Sequence, residues 1–74
     1  METADQLKAR EVIGLKIKQV REVKELTQSE VAEAAGINVN YFAMIERGEV
    51  NFTFDKLYRI IKALRVKSSQ ILPF

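Results

Sequence analysis

Between residues 27 and 53 the signals that start and stop helices follow one another so closely that only two short helices fit. Thr27 is a good helix N-cap, and Glu30 three residues later completes a capping box. Gly36 then stands where a helix must end, because the left-handed conformation that closes a helix costs glycine nothing. Asn38 is the next N-cap and Gly48 the next stop, followed by a further cap at Thr53. The spacing predicts one helix over Gln28–Ala35 and a second over 39–47. Val31, Ala32 and Ala35 share a face of the first, and Phe42 and Ile45 face inward on the second.

Helical periodicity extends on both sides of this pair. Over 5–24, Ile13, Ile17, Val20 and Lys24 form a stripe with Val12, Val23 and Leu26 beside it. Thr53 caps a segment over Phe54–Leu64 whose apolar stripe is Phe54, Leu57, Ile61 and Leu64. A last short turn starts at Ser68 or Ser69, runs through Leu72 and ends at Pro73. No alternating stretch is long enough to be a strand. The expected fold is all-α, five helices on short connections. A chain of 74 residues can bury one core only, so residues 1–74 are expected to form a single domain. Its core covers about 13–72, and 1–12 is a helical N-terminal extension.

The composition removes several classes of function. The chain has no Cys and no His, which excludes disulfides, thiolate nucleophiles, Ser–His or Cys–His pairs and the ordinary zinc sites. No metal and no cofactor is expected, and no enzymatic activity is expected on the same grounds. The start, from Met1 to Asp5, is polar and acidic, unlike a signal peptide. Nothing approaches a membrane span, so a cytoplasmic location is expected. The net charge of +2 is too small to identify a nucleic-acid partner. Its distribution is less even: Lys56, Arg59, Lys62, Arg65 and Lys67 follow one another with no acid between them. That run reads either as a binding patch or as an ordinary solvated helix face.

The informative feature is joint spacing. An eight-residue helix, a glycine turn and a second helix make the helix-turn-helix pattern. Its geometry requires a small residue where the helices cross (Ala32), a turn residue (Gly36), an apolar plug beneath it (Ile37) and inward anchors (Phe42, Ile45). All five positions fit together.

On these residues the chain resembles the Cro/phage-repressor (XRE-type) helix-turn-helix family. The resemblance rests on Leu26-Thr27-Gln28, Val31-Ala32, Ala35-Gly36-Ile37, Tyr41 and Ile45-Glu46-Arg47-Gly48. It continues through Asn51, Leu57, Ile60 to Leu64 and Ile71-Leu72. It implies a lambda-repressor-like domain that binds double-stranded DNA as a homodimer at a palindromic operator. With little chain left over, it further implies a stand-alone regulator, built like a small phage repressor or a restriction–modification controller protein. The third helix would lie in the major groove with Asn38, Val39, Asn40, Ala43 and Met44 toward base edges. Among these, Asn40 suits direct readout, because an amide can bond both N6 and N7 of adenine. Asn38 has the simpler alternative of capping the helix. Thr27, Gln28, Tyr41, Arg47 and Asn51 match positions along the DNA backbone, with covering the core as the alternative for Tyr41. Arg21 and Glu46 match a shielded salt bridge that orients the third helix.

Departures from the family pattern carry expectations too. Glu25 and Arg65 occupy helix ends where glycine is common, which predicts left-handed backbone or rearranged ends. Phe52 replaces a usual proline, so the loop before the fourth helix should pack differently. Val39, Ala43 and Met44 make the recognition face unusually apolar, which keeps open a second reading: an antitoxin-like or other protein-interaction partner on the same scaffold. Dimer contacts are expected from Ile71, Leu72 and Phe74 or from the outer face of the fourth helix. The alternative is that the tail folds back onto its own core. The extension over 1–12 could also serve a dimer.

Overall fold

Residues 3–73 are described by the computed structural model, as four α-helices and one short 3-10 turn. These are α1 (Ala4–Val23), α2 (Gln28–Ala35), α3 (Val39–Glu46), α4 (Phe54–Leu64) and the turn Ser68–Gln70. Among the described residues there is no strand. The fold class is therefore all-α, with one correction: the expected fifth helix is reduced to a single 3-10 turn. Only three residues follow Lys67 before Ile71 must enter the core, too few for an α-helical turn to propagate. Among the described residues no helix is long and apolar enough to cross a membrane.

The caps form as their residue types dictate. At α2 the Thr27 hydroxyl accepts from Glu30 N at 3.0 Å, and Glu30 Oε1 accepts from Thr27 N at 2.8 Å. Hydrogen bonding of the Glu30 carboxylate to Thr27, to its backbone N–H first and its side chain second, holds that carboxyl below the usual carboxylate range. Thr3 and Gln6 build the same box on α1, so the extension is helical from its first described turn. Gly36 closes α2 with φ 71°. Glu25 and Arg65 also sit at φ 57°, so two non-glycine residues adopt the left-handed turn, at about 1–2 kcal/mol each.

The core joins all four helices and the tail. It contains Ile13 and Ile17 of α1, Val31, Ala32 and Ala35 of α2, and Phe42 and Ile45 of α3. Leu57, Ile60 and Leu64 of α4 and Ile71 of the tail complete it. α4 packs on α2, and α1 packs on α3 and crosses it closely. At the crossing Gly14 is buried, and an added Cβ there would meet the backbone of Ile45 and Glu46.

Two apolar positions differ from the expected stripes. Phe54 is 81% exposed, and Ile60, not Phe54, is the inward residue beside Leu57 and Leu64. On α1, Val23 is 83% exposed and Lys24 is exposed, so that stripe ends at half-buried Val20. Phe52 is half-buried and packs on the core, filling the place where the family pattern has proline.

Candidate nucleic-acid interface

The second helix of the helix-turn-helix pair is held at both ends. At its start Asn38 Oδ1 accepts from the backbone N–H of Asn40 (2.8 Å) and Tyr41 (3.2 Å), so Asn38 is an N-cap. Phe42 and Ile45 are fully buried and anchor its inner side. Asn40, Ala43, Met44 and Arg47 are then forced to the other side by the 3.6-residue period. Asn40 and Arg47 are exposed, Val39 is 36% exposed, and Ala43 and Met44 are half-buried. The helix thus offers one amide, one cation and an apolar strip between them.

Glu46 fixes how that face is aimed. Its carboxylate is buried and accepts from three donors: Arg21 Nε at 2.7 Å, Arg21 Nη2 at 3.2 Å and Gln28 Nε2 at 2.8 Å. Arg21 Nη1 also donates to the Leu26 carbonyl at 2.9 Å. The network ties α1, the α1–α2 connection and α2 to the end of α3. The hydrogen bond to Glu46, more than its charge, raises the Arg21 pKa further, so the guanidinium stays charged despite partial burial. Arg21 and Glu46 are the pair expected from the sequence, and Gln28 joins them.

The residues expected along the DNA backbone occupy several settings. The Thr27 hydroxyl caps α2 and Gln28 braces Glu46. Arg47 is exposed and pairs with Glu49, Nη2 to Oε1 at 3.0 Å. Tyr41 is half-buried against the core, and its hydroxyl donates to the Asn51 carbonyl at 3.2 Å. Asn51 is exposed in the α3–α4 connection, and its Oδ1 accepts from Arg10 Nη1 at 2.8 Å.

The basic run of α4 lies elsewhere. Arg59, Lys62 and Arg65 line a shallow depression with Glu33 to Gly36, at the C-terminal end of α2. No base occupies the last turn of α2 itself, so these cations complement its negative helix end. Arg59 also pairs with Asp55 at 3.1 Å, and the Lys62 ammonium lies 5.5 Å from the centre of the Tyr58 ring.

For the tail, one expectation is corrected: Ile71 is fully buried in the chain's own core and offers nothing to a second copy. Leu72 is half-buried, and Phe74 lies outside the described residues. Leu72 lines an apolar depression with Phe54, Leu57, Tyr58, Ile61 and Val66. Sequence reasoning missed Phe54 as part of that surface, and it missed Arg10 and Gly14 of α1. A glycine inside a long helix was the available signal for Gly14, because it is unfavourable there by about 1 kcal/mol unless something needs the space. Arg10 gave no local signal. Among the described residues no group of acids is arranged to hold a metal ion.

A capped helix-turn-helix with an exposed outer face on its second helix is the build of a DNA-reading module. The Helix-turn-helix family model matches residues 17–71, and the chain belongs to that family. The immunity repressor protein of Bacillus phage phi105 is 35% identical to it over 60 residues, covering 81% of this chain and 42% of the repressor. The control protein C.SmaI of Serratia marcescens is 29% identical over 63 residues, covering 85% of this chain and 75% of that protein. The restriction-modification controller protein C.Esp1396I has been solved as a tetramer in complex with its natural 35 base-pair operator. It matches with a TM-score of 0.75 at 29% identity, over 92% of this chain and 84% of that one. The chain spans less than half the length of the phage repressor and three quarters of the control protein.

Proposed function

We propose that this chain is a sequence-specific, double-stranded-DNA-binding regulator of transcription that acts in the cytoplasm as a homodimer at a palindromic operator. The observation that carries the reading is α3. Its inner side is locked by Phe42, Ile45 and the buried Arg21–Glu46–Gln28 network, while Asn40 and Arg47 stay exposed on the outer side. Rigid presentation of a few polar groups on a helix is what major-groove readout needs. The likeness to a controller protein seated on its operator supports it.

In this reading Asn40 bonds an adenine edge, with Asn38, Val39, Ala43 and Met44 beside it against bases and thymine methyls. Arg47, Thr27, Gln28, Tyr41 and Asn51 follow the phosphates. Asn40→Ala should relax preference at one base pair, costing about 1–3 kcal/mol there. Competition binding with every single-base variant of the selected site measures this, and an unchanged preference at all positions contradicts the assignment. Arg47→Ala should weaken all sequences alike and lower the salt slope by about 0.9. A loss confined to one sequence contradicts that role.

The second copy is assigned to the Phe54–Tyr58–Leu72 surface of α4 and the tail. Phe54 is 81% and Tyr58 51% exposed, an uncommon apolar exposure for so small a domain unless it is covered. Phe54→Lys should shift sedimentation from dimer to monomer while leaving the monomer folded. An unchanged sedimentation coefficient places the contact elsewhere.

A further inference from the structure

The family match begins at residue 17, so it assigns no role to the first turns of α1. These turns lie against the segment that follows the recognition helix. Glu11 abuts the α-carbon of Gly48 so closely that an added Cβ there would lie 2.7 Å from Glu11 Cγ and 2.9 Å from its Cα. Arg10 reaches across the same place. Its Nε donates to the Gly48 carbonyl at 3.2 Å and its Nη1 to Asn51 Oδ1 at 2.8 Å. Asn51 is therefore held twice, its main chain by the Tyr41 hydroxyl of α3 and its side chain by α1.

The chemistry of that second bond sets a direction. A guanidinium has donors only, so it can hold only the oxygen end of the Asn51 amide. The donor end, Nδ2, is what remains, and among the described residues it meets no acceptor. A phosphate oxygen is an acceptor only, and it can be bound only by a donor. Resting on the DNA-binding reading above, we propose that Arg10 is a positioning residue for DNA binding: it fixes the Asn51 amide with its N–H groups turned outward to a backbone phosphate. Arg10 acts through Asn51 and does not touch the nucleic acid. The extension is then part of the DNA-binding surface rather than of a dimer contact.

Two variants and their combination test this on the full chain, with a mixed-sequence duplex long enough for two half-sites as the probe. Arg10→Met keeps the alkyl stem and removes the donors; Asn51→Ala removes the amide. Each should weaken binding about tenfold, and the double variant should be no weaker than either single one. A double variant weakened about hundredfold, the product of the two, would overturn the proposal in favour of independent contacts. Asn51→Asp separates binding from folding. It keeps an oxygen for Arg10 and strengthens that pair, so the melting temperature should hold or rise, while the lost donor and the added charge should abolish binding. Binding of Asn51→Asp at the level of the unaltered chain overturns the proposal even if Arg10→Met fails to fold. If the unaltered chain binds no duplex at all, the failure lies with the DNA-binding reading, a different result from either of these.

Discussion

Gly14→Ala is expected to destabilise the domain more than any other single methyl group added to it. The new Cβ would sit on the Ile45 carbonyl oxygen and 2.7 Å from the Glu46 oxygen, both backbone atoms. A flexible side chain could swing away, but the end of α3 cannot without dislodging Phe42 and Ile45, which are fully buried. Overpacking of this kind costs about 1–3 kcal/mol, and more where nothing yields; alanine recovers at most about 1 kcal/mol through helix propensity. A net loss of about 3 kcal/mol would lower the melting temperature by roughly 12–24 °C. Thermal unfolding followed by circular dichroism measures it. A melting temperature equal to or above that of the unaltered chain would mean that α1 does not cross α3 here, since at an open helix site alanine is the better residue.

Glu46→Gln is the second large effect, and it arises from electrostatics. The carboxylate is buried and accepts three hydrogen bonds, two of them from Arg21. Glutamine has the same shape, but it presents an N–H group to donors and leaves the Arg21 charge without its counter-ion. Arg21 is only 12% exposed at its side chain, so water cannot replace the partner fully. Breaking a buried pair from one side typically costs about 3–5 kcal/mol. The wider consequence is that a pair lost from both sides costs far less. Combining Arg21→Met with Glu46→Leu should recover most of the stability lost in either single variant. A Glu46→Gln chain with unchanged thermal stability would show that the network does not hold the helices together.

The helix-turn-helix was legible because its information is local. Thr27, Glu30, Gly36 and Asn38 each fix the backbone within four residues of themselves, and all act as their types dictate. The Arg21–Glu46 bridge came through the family resemblance, since the residues are 25 apart in sequence. What was not legible depended on how finished helices approach each other. On α4, Leu57, Ile60, Ile61 and Leu64 form a band wider than one contact. Whether Ile60 or Phe54 turns inward is decided by the direction from which α2 arrives. Phe54, Tyr58 and Ile61 share the flank that α2 leaves uncovered. The tail was ambiguous for a related reason. Ile71 enters the core and half-buried Leu72 remains at the rim, a division set by one 3-10 turn. Arg10 could not be identified because its partners Gly48 and Asn51 lie 38 and 41 residues away.

These placements leave α3 with an apolar strip beside one exposed amide, that of Asn40; in the proposed DNA-binding role, sequence preference should come from Asn40, thymine methyls and the shape of the DNA. The same apolar strip is what a protein partner would use, and the two uses differ in their response to salt. Selection from a random duplex-DNA library, followed by salt titration of the recovered sequence, distinguishes DNA binding by α3 from binding of a protein partner. The expected product is an inverted repeat with half-sites about one helical turn, roughly 34 Å, apart, bound with an affinity that falls steeply as salt rises. Failure to enrich any sequence at moderate salt, with the fold intact by circular dichroism, would contradict it and assign the outer face of α3 to a protein partner.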